Sequence, residues 1–228
     1  NRFTNRIAQT FDIQKNFIDY VSHELRTPIA AMLGTLEVTD QRNRSTDEYK
    51  EMMHDLSAYI EDLQSTLDQM MLLTGAKTKF EFQTIRIDEV IWEVVEQATL
   101  YYQANIEVTI SVEDHARLGI PGNEKLLELA IKNLLENAIK YSNNQLVKLS
   151  LDAIDERICL RVVDQGIGIP KEELQRCTQN FFRASNTSNY QGKGIGLSIA
   201  NMIFSLHQIN MKIESNNSGT TVLLWFNG

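Results

Sequence analysis

The chain has 228 residues, 43% of them hydrophobic, which is enough for one or two domains with true cores. Its 22 basic and 30 acidic residues leave a formal net charge of -8, which argues against a nucleic-acid-binding surface. The 2 cysteines, Cys159 and Cys177, are too few for a disulfide framework, and no apolar run reaches the ~20 residues of a membrane span.

The first residue is Asn, no secretory signal is visible, and the chain reads as a piece excised from something longer. Residues 8 to 75 read as two long helices. Phe11, Ile18, Val21, Leu25, Pro28 and Met32 recur at three- and four-residue steps. Ser45-Thr46-Asp47-Glu48 has the form of a capping box, which opens a second helix. From there Tyr49, Met52, Leu56, Tyr59, Leu63, Thr66, Met70 and Leu73 trace a bundle seam, and Gly75 is a helix stop. So narrow an apolar stripe does not hold a lone hairpin together. The pattern therefore predicts a homodimer through residues 8–75, two hairpins making one four-helix bundle.

Residues 76–83 are the expected linker between a helical domain, 1–75, and a second domain, 84–228. The second domain has a mixed grammar. Asp88–Gln103, Glu124–Tyr141 and Leu197–Leu206 read as helices. Ile106–Val112, Val147–Ile154, Arg157–Val163, Met211–Glu214 and Thr221–Phe226 read as strands. Val147, Leu149 and Leu151 alternate, as do Val222, Leu224 and Phe226. The expected fold class is α plus α/β: a helical hairpin, then an α/β sandwich whose mixed sheet is backed by helices. Cys159 sits in an apolar run and reads as a buried free thiol.

Four stretches carry chemistry. His23 falls off the seam of its helix and so faces solvent, with Glu24 adjacent and Thr27 one turn on. Glu24 can hold the proton of one ring nitrogen and leave the other free to attack, and Pro28 should bend or loosen the helix nearby. A lone surface histidine beside a kink also fits these residues. His54, His115 and His207 lack such neighbours and read as structural or solvated.

Asn133, Asn137 and Lys140 share one stripe of their helix, with Tyr141 next in sequence. Asparagine carbonyls suit a hard cation such as Mg²⁺, and a lysine neutralises phosphate; a solvated helix face is the other reading. Asp164 ends a strand and is followed by Gly166 and Gly168. A carboxylate there can accept adenine's amino group, and the glycines let a base come close. The spacing is neither the dinucleotide fingerprint nor a P-loop. Gly192, Gly194 and Gly196 lead into a helix, where open backbone amides form a phosphate cradle. Residues 184–191 are polar and unpatterned, as a lid is.

Ser22-His23-Glu24-Leu25-Arg26-Thr27-Pro28, Asn133-x3-Asn137-x2-Lys140-Tyr141, Asp164-x-Gly166-x-Gly168, Phe181-Phe182-Arg183 and Gly192-x-Gly194-x-Gly196-Leu197 stand in a fixed order. The set resembles the transmitter core of the sensor histidine kinases of two-component systems, over residues 11 to 226. The resemblance implies that His23 is phosphorylated from ATP, that Glu24 is its base and that Thr27 orients water for dephosphorylation. It implies Asn137 as the Mg²⁺ ligand with Asn133 in support, Lys140 and Tyr141 near the phosphates, Asp164 on adenine, and Gly166 and Gly168 lining the pocket. It implies that Gly192, Gly194 and Gly196 anchor the lid beside Leu197, and that Arg183 meets the γ-phosphate. Ser218-Gly219-Thr220 resembles the last glycine box, which adds Thr220 to the nucleotide set. A response regulator receiver domain is the implied partner. The chain would be the cytoplasmic portion of a membrane-anchored bacterial sensor, touching membrane only through a missing upstream region. Departures are Tyr20, Thr178, Asn180, Gln191 and Lys193. A phosphatase-dominant protein and a non-catalytic dimeric scaffold are the rival readings.

Overall fold

The computed structural model describes residues 2–42, 44–74, 80–154 and 157–226. They fall into two compact units, Asn1–Thr78 and Lys79–Gly228. Gly75, expected as a helix stop, and residues 76–79 of the expected linker lie outside the described residues.

The first unit is a hairpin of α1 (Arg2–Asp40) and α2 (Thr46–Thr74). The capping box forms in full: Glu48 N donates to Ser45 Oγ at 3.2 Å, and Ser45 N donates to Glu48 Oε2 at 2.9 Å. Arg44 closes the other side of the turn by donating to the carbonyls of Val38 and Thr39, which satisfies orphan acceptors at the end of α1. Pro28, expected to bend or loosen the helix, is buried inside α1, and the helix runs on to Asp40. Ile18 on α1 and Tyr49 on α2, expected on the seam, are exposed, while the seam positions Met52, Leu56, Tyr59, Leu63, Met70 and Leu73 are partly or wholly covered. A second apolar row is not: Met53, Ile60 and Leu67, seven residues apart, and Met71 are exposed, as are Ile29, Leu33 and Leu36 on α1.

The second unit begins with β1 (Gln83–Arg86) and α3 (Ile87–Tyr102). Then come β2 (Ile106–Ser111), β3 (Gly119–Gly122), α4 (Glu124–Tyr141), β4 (Val147–Ile154) and β5 (Arg157–Val163), followed by α5 (Gly196–Leu206), β6 (Asn210–Asn216) and β7 (Gly219–Phe226). Five strands form one mixed sheet in the order β2-β4-β5-β7-β6, with β2 and β4 parallel and every other pair antiparallel. One sheet face is apolar: Val147, Leu149 and Leu151, then Leu160 and Val162, then Val222, Leu224 and Phe226, all buried. The helices bury Ile91 and Val94 of α3, Leu127, Ile131 and Leu135 of α4, and Ile199, Ile203 and Phe204 of α5. Each such side chain contributes about 1.5–3 kcal/mol by leaving water, so this layer dominates the unit's stability. Both cysteines are buried free thiols, and burial pushes both up from the usual thiol range.

Two strands depart from the sequence expectation. β1 pairs antiparallel with β3 in a small separate sheet, so Gln83, the last residue of the expected linker, opens a strand. Neither strand announces itself. Gln83-Thr84-Ile85-Arg86 buries one position, and β3 contains Pro121 between two glycines.

Candidate functional site

On the first unit, His23 stands 66% exposed on α1, as its place off the seam required. Its Nδ1 lies 3.3 Å from Glu24 Oε1. With the Nδ1 proton held by that carboxylate, Nε2 keeps its lone pair toward solvent. The Thr27 hydroxyl donates to the His23 carbonyl at 3.2 Å, so it sits one turn along the same face. Behind them Tyr20 is 7% exposed, and its hydroxyl donates to Gln69 Oε1 on α2 at 2.8 Å. Burial and the nearby Glu24 charge push the Tyr20 phenol up to about 12.

On the second unit, the polar stripe of α4 faces the glycine string. A Cβ added at Gly196, the first residue of α5, would lie 2.5 Å from Asn133 Oδ1, and one at Gly192 would lie 2.6 Å from Lys140 Nζ. Asn133 also donates to Leu129 O at 2.9 Å, which fixes its carboxamide with the oxygen toward α5. Among the described residues no side chain caps α5, so the positive end of the helix is open beside Asn133 and Leu197. Asn137, between Asn133 and Lys140 on the stripe, has no side-chain hydrogen bond among the described residues. Its free carbonyl oxygen fits a hard cation. Lys140 lies over the Tyr141 ring, 5.0 Å from the centroid. Burial, then the Arg183 charge, lowers the Lys140 ammonium from its usual range. Two neighbouring cations, with no ion pair to either among the described residues, concentrate positive charge at this corner.

Asp164 follows the last residue of β5. Its Oδ1 accepts from Gly166 N at 2.8 Å and Thr220 N at 3.1 Å, and its own N–H donates to Thr220 O at 2.9 Å. Burial raises the carboxyl, and the two amides partly offset that. Gly166 is pressed against the Tyr141 carbonyl, and Ile167 N donates to the same oxygen at 3.2 Å. Gly168 adopts φ +65° against the Asn216 carbonyl, where a side chain would collide. The structure thus brings together Tyr141, Asp164, Gly166, Gly168 and Thr220 at one end of the sheet.

The expected lid is tied down at several points. Arg183 donates to the carbonyls of Thr187 and Tyr190 at 2.6 and 2.5 Å. Glu173 accepts from both N and Oγ of Ser185, and Asn186 Nδ2 donates to Gly168 O at 2.9 Å. The Tyr190 ring stands 5.1 Å from that of Tyr141, and its hydroxyl donates to Asn143 Oδ1 at 3.3 Å. Gly194 turns at φ +71° against the Phe182 carbonyl. Sequence reading missed Glu173, Asn186, Tyr190 and Ser215. Nothing in their spacing marks them, because each acts on a residue distant in sequence.

The His Kinase A (phospho-acceptor) domain model matches residues 13–76, and the model of the histidine kinase-, DNA gyrase B- and HSP90-like ATPases matches residues 122–227. The chain belongs to the sensor histidine kinases. The heme sensor protein HssS of Staphylococcus saprophyticus is 29% identical over 228 residues, covering 96% of this kinase core and 48% of the relative. Sensor histidine kinase YkoH of Bacillus subtilis is 27% identical, covering 99% and 50%. The kinase core thus spans about half the length of these relatives. Among solved structures, full-length ShkA in complex with AMPPNP aligns with a TM-score of 0.62 at 20% identity, over 90% of the kinase core and 44% of that chain. Histidine kinase AdeS of Acinetobacter baumannii aligns with a TM-score of 0.55 at 18% identity, over 90% and 97%. These likenesses share the fold: helices first, then a mixed sheet with helices.

Proposed function

We propose that this transmitter core moves the γ-phosphoryl of ATP to His23, and from there to an aspartate of a response regulator receiver domain. The observation that carries the reading is the order within one chain. An exposed histidine with its Nδ1 on a carboxylate lies inside the phospho-acceptor match, and Asn133, Asn137, Lys140, Asp164 and the glycine string lie inside the ATPase match.

Nε2 of His23 attacks the γ-phosphorus, the bond from phosphorus to the bridging oxygen breaks, and ADP leaves. Glu24 holds the Nδ1 proton and stabilises the cation that develops on the ring. Asp164 accepts the amino group of adenine through Oδ2, since Oδ1 is taken by two backbone amides. Lys140, Arg183 and the open end of α5 neutralise the phosphates, while Gly166, Gly168, Gly192, Gly194, Leu197 and Thr220 shape the walls. Asn137, supported by Asn133, would hold Mg²⁺, which when bound screens charge on the β- and γ-phosphates. Phosphoryl transfer depends on positioning and charge more than on covalent help, which suits such a site.

The exposed rows Ile29, Leu33, Leu36 and Met53, Ile60, Leu67, Met71 support a homodimer through the hairpins. One observation favours a dephosphorylating activity as well: the Thr27 hydroxyl stands one turn from His23, where it can orient a water toward a phosphorylated partner. In the relatives' fuller context, the core would be the cytoplasmic portion of a membrane-anchored sensor. No helix among the described residues is long and apolar enough to cross a membrane.

Asn137→Ala tests the site. The variant should remain a folded dimer and lose autophosphorylation at physiological Mg²⁺. Retained autophosphorylation removes Asn137 from the ligand role.

A further inference from the structure

We infer that Ser215, on β6, is the positioning residue that fixes the adenine-reading loop and sets base selectivity. This rests on the reading of Asp164 as the adenine acceptor. A serine hydroxyl has one proton to give and two lone pairs to fill, and all three are used here. Ser215 Oγ accepts from Ile169 N at 2.8 Å, lies 3.0 Å from Thr220 Oγ1 and donates to Gly219 O at 2.9 Å.

Those partners sit on both sides of Asp164. Ile169 ends the loop that begins at Asp164 and runs through Gly166 and Gly168. Thr220 is the residue whose backbone N–H donates to Asp164 Oδ1 and whose carbonyl accepts from Asp164 N. One hydroxyl therefore ties the far end of the loop to the strand that orients the carboxylate. Gly168 is held against Asn216, the next residue along β6, so the loop meets β6 at two adjacent positions. Without the hydroxyl, Ile169 N–H and the Thr220 hydroxyl lose their partner, and the loop's distance from Asp164 is no longer set. Selection for a 6-amino group requires that distance to be right, because a hydrogen-bonding site rejects the wrong base only when its polar groups are fixed.

The test measures binding of ATP and of inosine triphosphate, which has a 6-oxo group in place of the 6-amino group. The proteins compared are the unsubstituted chain, Ser215→Ala and Ser215→Thr, each with its thermal midpoint. The expected result is a preference for ATP in the unsubstituted chain that falls about tenfold in Ser215→Ala, as for loss of one ordering hydrogen bond, and returns in Ser215→Thr. Where Ser215→Ala does not stay folded at the assay temperature, Ser215→Cys takes its place, keeping volume without a strong acceptor. An unchanged preference, or an equal fall for both nucleotides, overturns the role of Ser215 while leaving Asp164 in place. No preference in the unsubstituted chain overturns the Asp164 reading and this inference with it.

Discussion

The Tyr20 hydroxyl donates to Gln69 Oε1 at 2.8 Å, joining α1 to α2 one turn before Glu24. The family resemblance marks Tyr20 as a departure, and the structure gives the departure a use. The phenol is buried and its ionisation is pushed from 10.0 to about 12. A group whose folded value is raised contributes stability below its unfolded value and loses it as the pH rises toward the folded one. Helical signal should therefore weaken between pH 10 and 12, and less so in Tyr20→Phe, which at neutral pH costs about 1 kcal/mol. Circular dichroism across that range checks it.

His207 offers the opposite sign. Its Nε2 accepts from Asn123 N at 3.0 Å and its Nδ1 donates to Ile203 O at 2.7 Å, so the neutral ring is fully used. Phe82 packs on it, with ring centroids 4.8 Å apart. Burial lowers its ionisation below the usual imidazole range. Stability is present above the unfolded value of 6.5 and is lost as the pH falls through the folded value, because protonation puts an N–H against the Asn123 N–H. His207→Gln should lower the thermal midpoint at pH 7.5, by about 1–3 kcal/mol in stability, and flatten the acid slope.

Asp164 separates structure from recognition. Asp164→Asn keeps an oxygen for the amides of Gly166 and Thr220, but puts an amino group where adenine needs an acceptor. ATP affinity should fall at least about tenfold with little change in thermal midpoint. Asp164→Ala strands two part-buried N–H groups and should lose both. Calorimetry of binding and of unfolding on the two variants distinguishes these outcomes.

Lys140 should act on the phosphates alone. Lys140→Ala is expected to weaken ATP about tenfold, to flatten the salt dependence of binding, and to leave adenosine unaffected. Equal losses for ATP and adenosine would move Lys140 out of the phosphate role.

The exposed apolar row on α2 predicts the assembly state. Ile60→Glu or Leu67→Lys places a charge in the proposed dimer interface and should yield monomers in sedimentation at micromolar concentration, with nucleotide binding intact. A dimer that persists in both variants would place the interface elsewhere.

Much of this was readable in the sequence. Ser45 and Glu48 formed the capping box their spacing announced, α4 spans the residues its periodicity marked, and the alternating residues of β4 and β7 became the core face. The exposure of His23 was legible because the residue falls off a seam, which is a local property. The rest was hidden for physical reasons. β1 and β3 are strands only because each has the other, and Pro121 argues against one of them. Met53, Ile60 and Leu67 form a second row that a single best seam obscures. Ser215, Asn186 and Tyr190 matter through Ile169, Gly168 and Tyr141, each far away in sequence, which no local pattern records.

The most direct measurement incubates the chain with γ-labelled ATP and Mg²⁺ beside a His23→Gln variant, and tests the label in acid and in alkali. The expected label is lost in acid, kept in alkali and absent from the variant. Label that persists in His23→Gln, or no label at all despite measurable ATP binding, would contradict phosphoryl transfer to His23.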